Sequence, residues 1–251
     1  MLIRTVREAG EILKEGYYGK KKVEFKGSVD LVTEYDRKIE EFLSARLSSL
    51  GLPIVGEESF SGEYPKSGIF IDPIDGTTNF VHHLAFTCIS VGVWEDGEPK
   101  EAVVYNPILD ELFYAKKKEG AYLNGEPIKV SETKKLIEAL IATGFPYTKT
   151  ERGADFRFVM ESMERLLPKT RDIRRFGSAA LDLCYVACGR FAGFYEVNLK
   201  PWDVAAGILI VQEAGGKVSN HLGKPYSFGD IIVATNGVIH EDLIENLGRW
   251  A

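Results

Sequence analysis

The sequence lacks the features that would direct a protein into a membrane or out of the cell. No apolar run reaches the length of a membrane span, and charged side chains from Arg4 to Glu15 interrupt the first helical turns. We therefore expect neither a membrane segment nor a secretory signal. Cysteine is scarce as well. The three cysteines are odd in number and lie among apolar neighbours, which predicts free thiols in a reducing, cytoplasmic compartment; they are Cys88, Cys184 and Cys188.

The sequence also has no excess of positive charge, because 37 acidic residues outnumber 31 lysine and arginine residues. The 251 residues carry a net charge of −6, so no basic field attracts nucleic acid, and we expect no direct binding of DNA or RNA. An acidic protein that binds phosphate needs local cations, which metal ions can supply. Apolar residues make up 45% and charged residues 27% of the chain, which is ordinary for a globular protein.

One stretch combines a buried strand with two carboxylates. The apolar run Ile69–Ile71 predicts a strand, and Asp72 and Asp75 leave its end together. A helix capped by Thr77 or Thr78 can follow. Carboxylates bind hard cations such as Mg²⁺, and the free N–H groups of a helix N-terminus bind anions. The stretch therefore predicts a metal and a phosphate side by side; it reads Asp72-Pro73-Ile74-Asp75-Gly76-Thr77-Thr78-Asn79.

This stretch has two other interpretations. Asp-Pro and Asp-Gly are common in plain turns, and a turn without function remains an alternative. The stretch also resembles the Asp-x-Asp-Gly-Thr motif of haloacid-dehalogenase phosphatases, in which the first Asp is a covalent nucleophile. Here two residues, Pro73 and Ile74, separate the carboxylates instead of one. The extra residue rotates the second side chain away, so we interpret that resemblance as accidental.

The rest of the chain alternates between helical and extended patterns. A series of strands joined by short turns, including Asn124-Gly125, predicts an antiparallel meander. Helices and strands then alternate, so we expect mixed α and β structure in layers. The patterns predict helices over 2–17, 153–166 and 238–247, an irregular basic loop over 19–28, and strands over 87–94, 101–105, 111–115, 138–142, 172–176, 191–197 and 231–234.

Further acids stand at the ends of predicted elements. Thr33 and Asp36 match a helix capping box, so Asp36 is either a cap residue or a functional acid. Glu57 follows the short strand candidate 53–55, where plain surface charge is the alternative. Asp203 suits the N-cap of the apolar helix 204–214. Together with the two aspartates above, these acids predict an all-oxygen site for two or three Mg²⁺ ions, which is suited to phosphoester hydrolysis.

Four blocks in order make the sequence resemble the inositol monophosphatase family over nearly its whole length. They are Gly56-Glu57-Glu58, Asp72 to Phe80, Gly177-Ser178-Ala179-Ala180-Leu181-Asp182-Leu183, and Pro201-Trp202-Asp203-Val204-Ala205-Ala206-Gly207 with Glu213-Ala214-Gly215-Gly216. The resemblance implies an α+β fold, a layered α/β/α/β/α sandwich of the sugar-phosphatase type. It also implies one domain over 1–251, with a metal and phosphate half at about 1–140 and a substrate half at about 141–251.

The resemblance also implies residue roles. Metal ligands would be Glu57, Asp72, the Ile74 carbonyl, Asp75 and Asp203. Catalytic residues would be Glu57, Thr77 and Asp36, the last two helping to position or deprotonate the attacking water. Substrate would contact Glu57, Ile74, Asp75, Gly76, Thr77, Arg174, Ala179, Glu196 and Asp203, with the backbone N–H groups of Gly76 and Thr77 on the phosphate. The basic segment around Lys26 and Asp30 resembles a mobile loop that helps to carry a third metal.

The activity implied is Mg²⁺-dependent hydrolysis of myo-inositol 1-phosphate and related sugar phosphates by metal-activated water. Lithium sensitivity and a homodimer are implied as well. The family also contains fructose-1,6-bisphosphatases, histidinol-phosphatases and nucleotide 3′-phosphatases, and some bacterial members act in transcription antitermination through protein partners. Lys200 and the Arg174-Arg175 pair either favour a second phosphate on the substrate or are solvated surface charges. The phosphate ester and any protein-binding role stay open at this point.

Overall fold

Two large β-sheets and three layers of helices alternate through the computed structural model of the protein, which describes residues 1–25 and 31–250. The helices are α1 (Leu2–Tyr18), α2 (Glu34–Leu47), α3 (Thr77–Val81), α4 (Ala154–Leu166), α5 (Ala179–Ala187), α6 (Pro201–Glu213) and α7 (His240–Glu245). The strands are β1 (Val23–Phe25), β2 (Leu31–Thr33), β3 (Ile54–Gly56), β4 (Gly68–Asp75), β5 (Cys88–Glu95), β6 (Glu98–Asn106), β7 (Glu111–Lys116), β8 (Gly120–Leu123), β9 (Glu126–Pro127), β10 (Leu140–Thr143), β11 (Asp172–Arg174), β12 (Gly193–Glu196), β13 (Lys217–Asn220) and β14 (Ile232–Thr235).

Three hydrophobic clusters hold the layers together. The first lies between α1, α2 and the outer face of the seven-stranded sheet. The second surrounds α5 and α6, which lie between the two sheets. The third joins the five-stranded sheet to α4 and α7. The layers therefore bury their apolar faces against one another, and the predicted layered α+β fold is confirmed.

The seven-stranded sheet carries the first half of the site. Its order is β3-β4-β5-β6-β7-β8-β9, with β3 and β4 parallel and each later pair antiparallel. The meander is thus as predicted, and the Asn124-Gly125 turn joins β8 to β9. Every residue of β4 is buried, because α1 and α2 cover one face of the sheet and α6 covers the other. Strand β4 is the rigid support for the two aspartates at its end.

The five-stranded sheet differs from the prediction in one strand. Its order is β11-β10-β12-β14-β13, in which β10 is parallel to β11 and β12, while β14 is antiparallel to its neighbours. Strand β13 was not predicted, because its four residues, Lys-Val-Ser-Asn, show little apolar alternation. It pairs with the buried strand β14, so tertiary context supplies what local pattern does not.

The basic loop predicted over 19–28 was partly wrong. Residues 23–25 form β1, which pairs antiparallel with β2. All three β1 residues are exposed, so this strand is held by its pairing with β2 and not by burial of a face of its own. The segment Lys26 to Asp30, to which the family resemblance assigns a third metal, lies outside the described residues.

The cysteines and the helices agree with the composition. All three thiols are free, with Cys88 and Cys184 buried and Cys188 partly buried. Within residues 1–25 and 31–250, no helix has the length and apolar character needed to cross a bilayer.

A buried histidine at the start of α7 makes the stability of the fold depend on pH. The His240 side chain has no exposed surface, and each of its ring nitrogens lies 2.8 Å from a hydroxyl oxygen, of Ser219 and of Thr235. The Ser219 hydroxyl donates to the Asn220 carbonyl, so it accepts from His240 Nε2–H. The Thr235 oxygen accepts from the Gly237 N–H and donates to Nδ1. This network satisfies the neutral imidazole, and burial lowers the pKa of His240 to about 4.

We expect His240 to destabilise the protein in mild acid. Because its pKa is lower in the folded state than the ordinary value of 6.5, the unfolded chain binds the proton first. The stabilisation is complete above pH 6.5 and is lost progressively towards pH 4, by about 3 kcal/mol. Urea unfolding of wild type and of His240→Gln, at pH 7 and pH 4.5, isolates this effect. An equal loss of stability in both proteins would contradict it.

Candidate active site

A bulge at the end of β4 brings two carboxylates to one side of the sheet. Asp72 pairs with Ser90 and Asp75 with Cys88, so the chain advances three residues while its partner strand advances two. In a regular strand, residues three apart point to opposite faces. The extra residue restores Asp75 to the face of Asp72. The expectation that the extra residue rotates the second side chain away from the first was therefore wrong, because the bulge absorbs that residue.

The second aspartate is held by the start of α5. Asp75 Oδ2 accepts the Ser178 hydroxyl at 2.6 Å and the Ala180 N–H at 2.7 Å. Burial raises the pKa of Asp75, and these hydrogen bonds oppose that shift. Asp72 Oδ1 accepts the Ile74 N–H at 3.0 Å. Both carboxylates are thus oriented by their own scaffold rather than by a cation of the chain.

Thr77 and Asp36 meet across 41 residues of sequence. The Thr77 hydroxyl donates to the Ile74 carbonyl at 2.9 Å and lies 3.4 Å from Asp36 Oδ1. Asp36 Oδ2 accepts both the N–H and the hydroxyl of Thr33, which completes the predicted capping box. One oxygen of Asp36 therefore caps α2, and the other faces Thr77. The structural and the functional interpretations of Asp36 are compatible.

Two predicted helix caps were wrong. Helix α3 has only five residues, and its N-cap is Gly76 in the left-handed region at φ 84°, without a side-chain cap bond. Thr77 and Thr78 lie inside the helix instead. Asp203 is the third residue of α6 rather than its N-cap, and its Oδ2 accepts the N–H of the true N-cap, Lys200, at 2.6 Å. In both cases the residue predicted to be the N-cap lies within the first turn of the helix instead.

Glu57 is positioned by a buried acid that sequence reasoning missed. The Glu57 N–H donates to the Ile71 carbonyl at 3.1 Å, which extends the pairing of β3 with β4. Glu40 of α2 is 4% exposed, and its carboxylate accepts the Glu58 N–H at 2.8 Å. A Cβ added at Gly56 would lie 2.3 Å from the Glu40 carboxyl carbon. Glu40 thereby fixes the turn that carries Glu57, and glycine at 56 makes room for it.

The acids raise one another's pKa. Burial raises the pKa of Asp72 well above its usual range, and four neighbouring acids add to the effect: Glu57, Asp75, Asp203 and Asp36. Burial also raises the pKa of Asp203, with Asp75, Glu57 and Glu196 as further causes. No lysine or arginine side chain is among the main influences on either group in the described part of the chain. A divalent cation would supply the missing positive charge, so the donor set fits Mg²⁺.

The carboxylates do not form a closed metal cage by themselves. Within residues 1–25 and 31–250, no group of three His, Cys, Asp or Glu side chains forms a metal site on its own. Mg²⁺ in phosphate-processing sites is commonly held by one or two carboxylates, by waters and by substrate phosphate. A site made of separate carboxylates and the Ile74 carbonyl oxygen is compatible with this type of Mg²⁺ coordination. This carbonyl oxygen keeps a second lone pair beside the Thr77 bond.

Three further predicted residues lie on α5, β12 and β11. Ala179 begins α5, and Glu196 ends β12. Burial raises the pKa of Glu196 to about 8, Arg175 lowers it and Asp75 raises it. Arg174, predicted to contact substrate, forms an ion pair with Asp172 at 2.5 Å instead, and no described contact joins it to the acids above. Its substrate role stays a prediction.

The Glu196 carboxylate packs directly against Gly144, so a side chain at position 144 should disturb it. A Cβ added at Gly144 would lie 1.7 Å from Glu196 Oε1. Gly144→Ala must therefore displace the carboxylate, which is the end of a flexible side chain, so the fold should survive. We expect the KM of a sugar phosphate to rise by about tenfold, the cost of one lost hydrogen bond. Gly153→Ala, where added atoms meet nothing within 4 Å, is the control. An unchanged KM in Gly144→Ala would contradict the assignment of Glu196.

Several positioning residues carried no signal of their own in the sequence. Ser178 lies in a recognised block, but its bond to Asp75 spans 103 residues. Asn79 joins the end of the aspartate stretch to the same region by donating to the Phe86 and Phe176 carbonyls, both at 2.7 Å. Asp182 is 1% exposed, and its Oδ1 has no hydrogen-bond partner among the described residues. Asp182 is the exception, because a polar residue within an apolar helical stripe is visible in the sequence.

With this geometry established, comparison with known proteins decides the family. The model of the inositol monophosphatase family matches residues 1–249. The chain belongs to that family. It is 41% identical to inositol monophosphatase 3 of Solanum lycopersicum, over 98% of this chain and 95% of that protein. It is 38% identical to Nus factor SuhB of Escherichia coli strain K12, over 98% and 93%.

A solved structure agrees with both the fold and the family. The extragenic suppressor protein SuhB from Bartonella henselae superposes with a TM-score of 0.90 at 37% identity, covering 97% of this chain and 95% of that one. The predictions that the protein resembles inositol monophosphatases and is a phosphatase enzyme are therefore confirmed.

Proposed function

We propose that the protein is a Mg²⁺-dependent phosphomonoesterase that hydrolyses myo-inositol 1-phosphate and related sugar phosphates to the alcohol and inorganic phosphate. The observation that carries the proposal is the bulged end of β4, where Asp72 and Asp75 share one face beside the Thr77–Asp36 pair. Relatives named inositol monophosphatase support the choice of substrate.

The metal would be held by oxygen atoms alone. Its ligands are the carboxylates of Glu57, Asp72, Asp75 and Asp203 and the carbonyl oxygen of Ile74. When bound, two or three Mg²⁺ ions neutralise phosphate charge and make water a nucleophile near neutral pH. A chain of net charge −6 would otherwise repel its own substrate.

The chain's own groups orient the reactants. The first intrahelical donor of α3 is the Phe80 N–H, which bonds to the Gly76 carbonyl at 3.0 Å, so the preceding N–H groups have no helical acceptor. Those of Gly76 and Thr77 are placed to donate to phosphoryl oxygens. The Thr77 hydroxyl lies between the Ile74 carbonyl and Asp36. It would accept the proton of the attacking water while its own proton passes to Asp36. Ala179 and Glu196 contact the alcohol, and no covalent enzyme intermediate is required.

Phosphate release tests the proposal directly. Myo-inositol 1-phosphate and fructose 1,6-bisphosphate are assayed side by side with Mg²⁺, with EDTA, and with added Li⁺. We expect turnover of the inositol ester that needs Mg²⁺ and is inhibited by Li⁺. No release from either ester, across a range of Mg²⁺ concentrations, would overturn the assignment of substrate.

A regulatory role through protein partners is the second candidate, favoured by the similarity to a protein named Nus factor SuhB. A pull-down with components of the transcription machinery separates it from catalysis, since a Glu57→Gln variant should keep partner binding while losing phosphate release.

Three further properties belong to the same proposal. We infer a homodimer and a cytoplasmic location, and light scattering of the purified protein tests the first. We also infer that residues 1–251 act as one domain, since α6 packs against both sheets and leaves no separable half. A single cooperative thermal transition would support this, and two separate transitions would contradict it.

A further inference from the structure

A cavity of about 490 Å³ lies outside the acid cluster, between the loop that precedes β4, the turn from β5 to β6 and the segment from β13 to β14. The acids assigned to the metal are not among its lining residues. A cavity of this size takes a small organic molecule. Its lining includes four aromatic and two charged side chains, which are those of Tyr64, Trp94, Tyr226, Phe228, Glu63 and Lys66.

The aromatic walls are fixed by contacts behind them. Trp94 Nε1–H donates to the Ala205 carbonyl at 3.1 Å, and the centroid of the Phe228 ring lies 4.8 Å from that of Trp94. Tyr64 is 41% exposed, and its ring stacks on that of Phe60 with the centroids 5.6 Å apart. Exposed aromatic surface beside a cavity favours a ligand that carries a flat apolar ring.

The rim of the cavity carries one charge of each sign. Glu63 and Lys66 are both exposed, and neither side chain takes part in an ion pair among the described residues. The backbone between them and β4 is held to the next turn, because the Lys66 carbonyl accepts the Gly97 N–H at 2.8 Å and the Ser67 hydroxyl accepts the Asp96 N–H at 2.8 Å. A complementary ligand therefore carries an anionic group for Lys66 and a cationic group for Glu63.

We propose that this cavity binds a free aromatic α-amino acid, with its ring between the aromatic walls, its carboxylate on Lys66 and its ammonium group on Glu63. Such an amino acid combines a flat ring with one group of each charge, so it matches both the walls and the rim. A peptide segment lacks this pair of neighbouring charges, because its amino and carboxyl groups are in amide bonds. The inference concerns a separate site and does not rest on the proposed function.

The cavity shares a wall with the candidate active site. The Tyr64 ring packs edge-on against the Trp202 ring, with the centroids 6.0 Å apart, and Trp202 directly precedes Asp203. Tyr64 also belongs to the loop from β3 to β4, which begins with Glu57. A ligand in the cavity contacts this loop without replacing any of the acids. Its binding therefore needs no metal ion.

Isothermal titration of the metal-free protein with L-phenylalanine, in EDTA, tests the site. We expect saturable binding that persists when Mg²⁺ replaces EDTA. Three compounds that each lack one feature should bind more weakly: phenethylamine lacks the carboxylate, 3-phenylpropionate lacks the ammonium group, and L-alanine lacks the ring. The loss of one charge should weaken binding about fivefold, as for an exposed ion pair. The loss of the ring should weaken it about a hundredfold, as expected for an apolar side chain that is no longer buried.

Two variants match each charge to its own group on the ligand. Lys66→Gln should weaken binding of L-phenylalanine about fivefold and leave that of phenethylamine, which has no carboxylate, unchanged. Glu63→Gln should weaken binding of L-phenylalanine by a similar factor and leave that of 3-phenylpropionate unchanged. Tyr64→Leu should weaken binding of all three ring compounds about fivefold. Lys134→Gln removes an exposed lysine that does not line the cavity, and this control should bind as wild type does.

Three results would overturn the inference. The first is no saturable binding of L-phenylalanine up to about 10 mM, which is well above a Kd of about 1 mM. The second is binding that disappears in EDTA, which would place the amino acid at the metal site. The third is an effect of Lys66→Gln or Glu63→Gln that is the same for every ring compound. Because the titration contains no phosphate ester, none of these results bears on the proposed phosphatase.

Discussion

Replacing Asp75 by asparagine is expected to reduce phosphate release by about a thousandfold, because a metal at this position contributes several kcal/mol to the transition state. The fold should survive the change. Asparagine has the shape of aspartate, and its amide oxygen can accept the Ser178 and Ala180 bonds that Asp75 Oδ2 now accepts. The change removes the negative charge and replaces the other carboxylate oxygen by an NH2 group, which cannot bind a metal ion. The measurement is the initial rate of phosphate release with saturating Mg²⁺.

A second readout tests the same variant without turnover. Mg²⁺ should raise the melting temperature of wild type, since binding to the folded state alone stabilises it. It should raise that of Asp75→Asn much less. Asp96→Asn is the control: Asp96 lies in an exposed turn at φ 54°, a conformation that asparagine tolerates. Activity of Asp75→Asn within tenfold of wild type would exclude Asp75 as a metal ligand.

The buried acids of this site lower the stability of the protein when no metal ion is bound, because they repel one another. The fold brings together acids from the ends of β3 and β4 and from the first turns of α2 and α6, and each raises the pKa of another. Groups whose pKa is perturbed by both burial and neighbouring charge are characteristic of functional sites. The hydrogen bonds from Ser178, Ala180 and Lys200 hold the carboxylates in place before any cation arrives. The site is therefore preorganised.

Local chemistry was the part of the structure that the sequence predicted well. The capping box at Thr33 and Asp36, the strand before Asp72 and the antiparallel meander all follow from patterns within a few residues. Each depends on periodicity or on one side chain bonding to its neighbouring backbone. Such features survive folding because tertiary packing reinforces them here rather than opposing them.

Contacts between distant segments could not be predicted from the same patterns. Nothing near Glu40 indicates that its carboxylate accepts the Glu58 N–H, because a glutamate inside a helix usually faces solvent. The sequence also could not distinguish Arg174 from Arg175, since adjacent residues leave the strand end in different directions and only the fold shows where each points. The bulge between Asp72 and Asp75 is a third case, because it depends on the partner strand β5.

Replacing Gly76 by alanine should damage both stability and activity. Gly76 has φ 84°, where an L side chain costs about 1–2 kcal/mol. An added Cβ would also lie 3.0 Å from the Phe86 carbonyl oxygen and 3.1 Å from that of Gly177. Both neighbours are backbone atoms and cannot swing aside. The Asp75–Thr77 segment must therefore shift, and with it the N–H groups that face the phosphate.

A matched glycine separates the two causes. Gly51 has φ 73°, and an added Cβ there meets nothing within 4 Å, so Gly51→Ala carries the conformational cost alone. We expect the free energy of unfolding to fall by about 1–2 kcal/mol in Gly51→Ala and by more in Gly76→Ala. Only Gly76→Ala should lose activity, by about a hundredfold in kcat/KM, the usual consequence of moving a catalytic group by about 1 Å. Urea unfolding and phosphate release measure the two effects. If the two variants were equally active, the close approach at Gly76 would have no part in catalysis, and the phosphate contact assigned to this turn would be wrong.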